Sequence, residues 1–225
     1  MVSITPPRPA WPEVLTGLSM FAVLMLVFAL GLSLLPADQP VLQGVVGSTA
    51  GGIAGTGAFA AAVAIRIRTL RPFGFRPAPT RWLSIAAMLG VACYGITYFI
   101  QTHGMWFGQG DPQSILHAAA RGGVIPFLTS LAGGAVLTPF GEEVLFRGVV
   151  ANAWHRYGAW ASVGASSLVF GIAHGISVIL PIAVMVGIFS AVIFHRTGSI
   201  WPCVVLHGVY NGANSGASAL HVTPM

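Results

Sequence analysis

The chain has 225 residues, 55% of them hydrophobic and only 7% charged, with a formal net charge of +5 and a mean hydropathy of +0.82. That balance excludes a soluble globular domain and points to a polytopic membrane protein; the length allows about seven spans of roughly 20 residues. All ten basic residues are arginine, so sparse a charge marks topology and not a nucleic-acid footprint, and no nucleic-acid partner is expected.

Residues 1–13 are Pro-rich and read as a short disordered tail carrying Arg8. The apolar run 14–35 is longer than a signal-peptide core and has no clear small-x-small cleavage site, so it reads as a membrane anchor, closed by the turn Pro36-Ala37-Asp38-Gln39-Pro40. A second span, 41–65, carries Gly44, Gly47, Gly51 and Gly55 in small-xxx-small spacing, which predicts close helix packing inside the molecule. Arg66, Arg68, Arg71, Arg76 and Arg81 then form a basic loop that the positive-inside rule places in the cytosol, together with the N-terminus. A third span, 82–100, leads outward to a loop, 101–121.

The next segment, 122–140, returns inward and continues past Pro139 and Gly141 to about Arg156. Some 35 helical residues would reach about 50 Å, too long for a straight crossing, so a kink at Pro139 or a projection beyond the bilayer is predicted. Spans at 159–175, 178–194 and 200–217 complete an all-α transmembrane bundle of about seven spans in one membrane domain. Within it 1–121 is the tail with the first three helices, and 122–225 is the helical core carrying the chemistry. Cys93 and Cys203 lie in apolar stretches and are expected as buried small hydrophobes with no disulfide.

Gly141-Glu142-Glu143-Val144-Leu145-Phe146-Arg147-Gly148 holds two of the five acidic residues side by side. A carboxylate within a membrane segment costs roughly 2.5–3.5 kcal/mol on insertion scales, so it needs a partner or a polar cavity. Glu143 and Arg147 are i and i+4 and read as a structural or orienting pair. Glu142 points about 100° away and has no basic partner on its own helix. One satisfied cluster of all three is the competing reading.

Polar residues recur in Phe170-Gly171-Ile172-Ala173-His174 and in His207-Gly208-Val209-Tyr210-Asn211. Glu142 and His174 stand equally far from the Gly158 turn, so a helical hairpin brings them to one level. His207 and Asn211, i and i+4, share a helix face. Glu142 with His174 suits holding and deprotonating a water, while His207 and Asn211 suit donation to a tetrahedral oxyanion. The same set could instead bind zinc through His174, His207 and a glutamate; the amide of Asn211 favours the metal-free arrangement.

The pattern Glu142-Glu143-x-x-x-Arg147, Phe170-x-x-x-His174 and His207-x-x-x-Asn211, in this order and inside apolar helices, resembles the CPBP family. That family comprises CAAX prenyl proteases and bacteriocin-processing intramembrane proteases and is also called Abi. The resemblance covers about Phe127 to Gly216. It implies an intramembrane endopeptidase with a cavity among the motif helices, open to the cytosol, acting on a peptide or membrane-protein substrate within the lipid bilayer. It also implies water activation by Glu142 and His174 and an oxyanion hole at His207 and Asn211, with Phe170 as the packing member of its motif. Because the family is described both as metalloprotease and as metal-independent glutamate protease, the cofactor stays open between none and zinc on Glu142, His174 and His207. The all-arginine composition and compact length read as bacterial, hence a plasma-membrane location.

Gly108-Gln109-Gly110-Asp111 spells the GxGD of intramembrane aspartyl proteases but lies in a polar loop without a second membrane aspartate. HExxH and GxSG are absent. His103, His117, His155, His195 and His221 are expected to be solvated or interfacial. A transporter or scaffold, using the Glu, Arg and His residues as a proton relay or structural network, is the rival function; it would spread polar residues over both halves, and here they are confined to the second.

Overall fold

A computed structural model describes residues 8–103 and 112–220, and among these all regular structure is helical. The GxGD segment and His221 lie outside the described residues. The helices are α1 (Trp11–Ser33), α2 (Pro40–Ile65), α3 (Thr80–Thr102), α4 (Ser114–Arg121), a continuous helical run α5 (Val124–Tyr157), α6 (Ala159–Ala173), α7 (Ile179–Thr197) and α8 (Trp201–Ala219). The helical membrane bundle expected from the hydropathy is the observed architecture. α1, α2, α3, α5 and α7 are long and apolar enough to cross a membrane. α6 has only 15 residues, and α8, at 19, is made more polar by His207, Asn211, Asn214 and its serines, so these two site-bearing helices fall below that standard.

α5 runs through the middle, against α2 on one side and α6 and α8 on the others, while α1 covers α2, α3 covers α8 and α6 pairs with α7. The outer helices are lipid-facing by their side chains: Leu15, Val23, Leu26 and Leu30 on α1, and Met88, Val91 and Phe99 on α3, all exposed large apolar groups. The opposite pattern marks the centre, where every residue of Val144–Ala151 is buried.

Residues 8–13, expected to be part of a disordered tail, are fixed in the structure. Trp11 already starts α1, Glu13 accepts from the Ala10 amide at 2.8 Å, and Arg66 bonds both Glu13 oxygens at 2.8 and 2.9 Å. Arg66 and Arg156 also donate to the carbonyls of Arg8 and Pro9. A second departure is α4, in the stretch read as a loop: eight residues fall below the length at which an apolar run stands out, yet α4 packs on α2 and α5. Along α5 two π-helical stretches, Gly133–Leu137 and Val144–Ala151, flank a normal segment, Thr138–Glu143, that has Pro139 in its first turn.

The glycines of α2 let it touch α5 backbone to backbone. A Cβ on Gly55 would overlap the Gly141 carbonyl, and one on Gly52 would meet the Leu137 backbone at 2.6 Å. Gly31 on α1 faces open space. Gly55→Val should therefore cost about 1–3 kcal/mol or more by overpacking, read as a lower thermal midpoint in detergent, whereas Gly31→Val should leave the midpoint unchanged.

Candidate active site

Buried charge organises the second half of the chain. Glu143 and Arg147 have fully buried side chains, with Arg147 Nε 3.0 Å from Glu143 Oε2. This contact is ionic without hydrogen-bond alignment, since neither atom makes a hydrogen bond among the described residues. The guanidinium is held from two further directions, by donation of Nη2 to the Gly187 carbonyl at 3.1 Å and by the Phe170 ring, whose centroid lies 4.5 Å from its central carbon. The second Glu143 oxygen, Oε1, is 3.0 Å from His207 Nδ1. An ionised carboxylate only accepts, so Nδ1 of His207 carries the proton.

Phe170 is the hub of the packing. Its ring meets Phe146, His174 and His207 at centroid separations of 5.1, 4.6 and 5.6 Å as well as Arg147. It therefore seats both imidazoles and the cation against one aromatic face and edge.

Glu142 turns the other way, as the 100° step requires. It is 5% exposed, and its Oε2 lies 3.6 Å from His174 Nε2 and 3.9 Å from His207 Nε2 without accepting a hydrogen bond from any described residue. Gly51 makes room for it, because a Cβ there would overlap the Glu142 carboxylate. His174 caps α6, just before Gly175 at φ +90°, and its Nδ1 is 2.9 Å from the Phe170 carbonyl, which fixes the proton on Nδ1 and leaves the Nε2 lone pair facing Glu142. Two acceptors at 3.6 Å cannot bond each other; they can share a donor placed between them.

Asn211 lines the same cavity, and its amide donates to the Gly134 carbonyl at 2.7 Å. Residue 139 is the partner that a π-helical turn would assign to that carbonyl, but proline has no N–H. Asn211 thus satisfies a carbonyl that Pro139 leaves open, and one amide N–H remains. The motif residues Glu142, Phe170, His174, His207 and Asn211 all border one cavity of about 400 Å³, while Glu143 and Arg147 sit behind it.

Several lining groups were not legible from the motifs. His117, expected in solvent, lies on α4 and lines the cavity with Gln113, Asn214 and Ser218. Gly51 and Thr138 also line it, and Thr138 Oγ1 accepts from the Gly52 amide at 3.1 Å and donates to the Ser48 carbonyl at 2.8 Å. The small-residue spacing of α2 was the available signal for that wall. His155 and His195 are not at the site; they pair with each other, Nδ1 to Nδ1, at 3.2 Å. Cys93 and Cys203 are free and buried.

The donor set for zinc was tested against this geometry. Ligands about 2.0–2.2 Å from a tetrahedral zinc lie roughly 3.4 Å apart. The carboxylate-to-imidazole separations of 3.6 and 3.9 Å are wider, and among the described residues no group of three His, Cys, Asp or Glu is disposed to hold a metal ion.

The ion pair makes its own prediction. Arg147→Met should leave Glu143 buried without its cation and lose about 3–5 kcal/mol, seen as a large fall in thermal midpoint; adding Glu143→Gln should recover part of that loss.

No curated protein and no solved structure matches the chain. One family model does, over residues 124–213, which takes in α5, α6, α7 and most of α8 with all three motifs; its description is type II CAAX prenyl endopeptidase, Rce1-like. Over residues 124–213 the chain is thus similar to the Rce1-like type II CAAX prenyl endopeptidases.

Proposed function

We propose that the protein is an intramembrane endopeptidase in which Glu142 and His174 activate water to hydrolyse a peptide bond of a membrane-associated protein, CAAX-like C-termini included. The observation that carries this reading is the buried Glu142 Oε2, which accepts no hydrogen bond from the described residues and stands 3.6 Å from a second acceptor, His174 Nε2. A water donating to both is polarised toward hydroxide and held for attack.

In the first step the water oxygen bonds to the scissile carbonyl carbon as its proton passes to Glu142, and the carbonyl π electrons move onto oxygen. The remaining Asn211 N–H and the His207 ring then serve the oxyanion. Donation from His207 Nε2 while Nδ1 faces Glu143 requires the imidazolium, whose charge Glu143 balances. In the second step the C–N bond breaks and the leaving nitrogen takes the proton from Glu142.

The test is cleavage of a quenched peptide by purified protein in detergent. Glu142→Gln should lose at least about 10²–10⁴-fold in rate while keeping the wild-type thermal midpoint, and His174→Ala about 10²-fold or more. His207→Ala and Asn211→Ala should each lose about 10²–10³-fold, with His207→Gln retaining more activity than His207→Ala because an amide still donates. Stringent chelation should leave the wild type active. Undiminished cleavage by Glu142→Gln overturns the mechanism, and loss on chelation restored by zinc moves His174 and His207 to a ligand role.

A further inference from the structure

Thr138 stands outside the three motifs, four residues before Glu142. Both belong to Thr138–Glu143, the regular α-helical segment between the two π-helical stretches, so their side chains share one face of α5. That face meets α2. Thr138 Oγ1 donates to the Ser48 carbonyl at 2.8 Å and accepts from the Gly52 amide at 3.1 Å. Residues 48 and 52 are four apart, so this carbonyl and this N–H are the pair that an α-helix bonds to each other. The hydroxyl therefore clips onto a single turn of α2 and serves both its donor and its acceptor. Among the described residues no other hydrogen bond joins α2 to α5.

The clipped turn is the one that backs Glu142. It contains Gly51, where a Cβ would overlap the Glu142 carboxylate at Oε1 and stand 2.9 Å from Thr138 Cγ2. Elsewhere the α2–α5 contact is glycine against backbone, with Gly52 on Leu137 and Gly55 on Gly141. Such contacts fix the distance between helices and leave a slide along the axis cheap, whereas a hydroxyl bonded in two directions fixes the register. In an apolar bundle no water replaces those bonds when they are lost. Ser48, Gly51, Thr138 and Glu142 all border the cavity. With Oε1 against Gly51, Oε2 is left facing the imidazoles of His174 and His207 at 3.6 and 3.9 Å.

We propose that Thr138 is a positioning residue for Glu142. Its hydroxyl holds the α2 turn behind the carboxylate and so sets the direction in which Oε2 faces the two imidazoles. The kinetic consequence rests on the reading of Glu142 as the group that activates water; the positional one does not. Removing the hydroxyl strands no backbone group, because the Ser48 carbonyl and the Gly52 N–H can then bond each other. Position is thereby separable from stability.

The test compares full-length Thr138→Val, which deletes the hydroxyl at nearly constant shape, with Thr138→Ser, which keeps it. In peptide cleavage in detergent, Thr138→Val should lose about 10-fold in kcat with KM within about twofold of wild type. Its thermal midpoint should stay at the wild-type value, and Thr138→Ser should keep most of the activity. Thr49→Val, which removes a hydroxyl bonded only to the Val46 carbonyl of α2 itself, should change nothing. A second readout needs no turnover: the rate at which the apolar reagent dicyclohexylcarbodiimide modifies Glu142, followed by peptide mass spectrometry. That rate should rise several-fold in Thr138→Val and remain at the wild-type value in Thr138→Ser and Thr49→Val. Wild-type kcat and wild-type modification in Thr138→Val overturn the proposal, as does an equal loss in Thr138→Ser or a loss that accompanies a lower midpoint. If Glu142→Gln cleaves undiminished, the water-activation reading falls and the modification rates alone decide the role of Thr138.

Discussion

The rest of the structure depends on accommodating the Glu143–Arg147 pair in the middle of an apolar bundle. The Glu143 side chain is fully buried, and so is that of its cation, Arg147. Breaking such a pair is expensive because the remaining charge has no water to turn to, and the cost is met only if both partners are also held by other groups. Here each is: the guanidinium by Gly187 and Phe170, the carboxylate by His207. Those partners come from α6, α7 and α8, so the need to neutralise one charge draws together the helices that form the cavity.

Adjacency of the two glutamates separates their environments. At 100° per residue, one carboxylate faces the arginine and the packed interior while the next faces α2 and the cavity. α2 can approach there because it presents glycine: Gly51 opposite the Glu142 carboxylate and Gly55 opposite the Gly141 backbone. Larger residues would push α2 away and widen the cavity around Glu142. The π-helical turns on either side of Thr138–Glu143 belong to the same solution, since they offset the register of α5 and free a carbonyl at Gly134 for Asn211.

Long apolar runs made the helices legible: a span read at 82–100 is the helix Thr80–Thr102, and the hairpin turning at Gly158 places Glu142 beside His174. The polar motifs were legible for the same reason, since in a chain with five acidic residues each one in an apolar helix stands out. Features that depend on the backbone's departures from regularity were not. Pro139 and Gly141 signal a disturbance without saying that it becomes two wide turns. Eight-residue α4 has too short a period to separate from a loop, so His117 went to solvent. Asn211 carries no mark in sequence that it also serves a carbonyl on α5, because that carbonyl exists only once Pro139 is in place.

The two histidines differ in what stands behind them. His174 is backed by the Phe170 carbonyl, which orients the ring with Nε2 toward Glu142. His207 is backed by the Glu143 carboxylate, which Arg147 holds in place from its other oxygen. Arg147, 0% exposed, reaches His207 through Glu143, whose carboxylate it holds. The motif's glutamate and arginine in this sense orient the His207 imidazole, while Glu142 beside them faces the cavity.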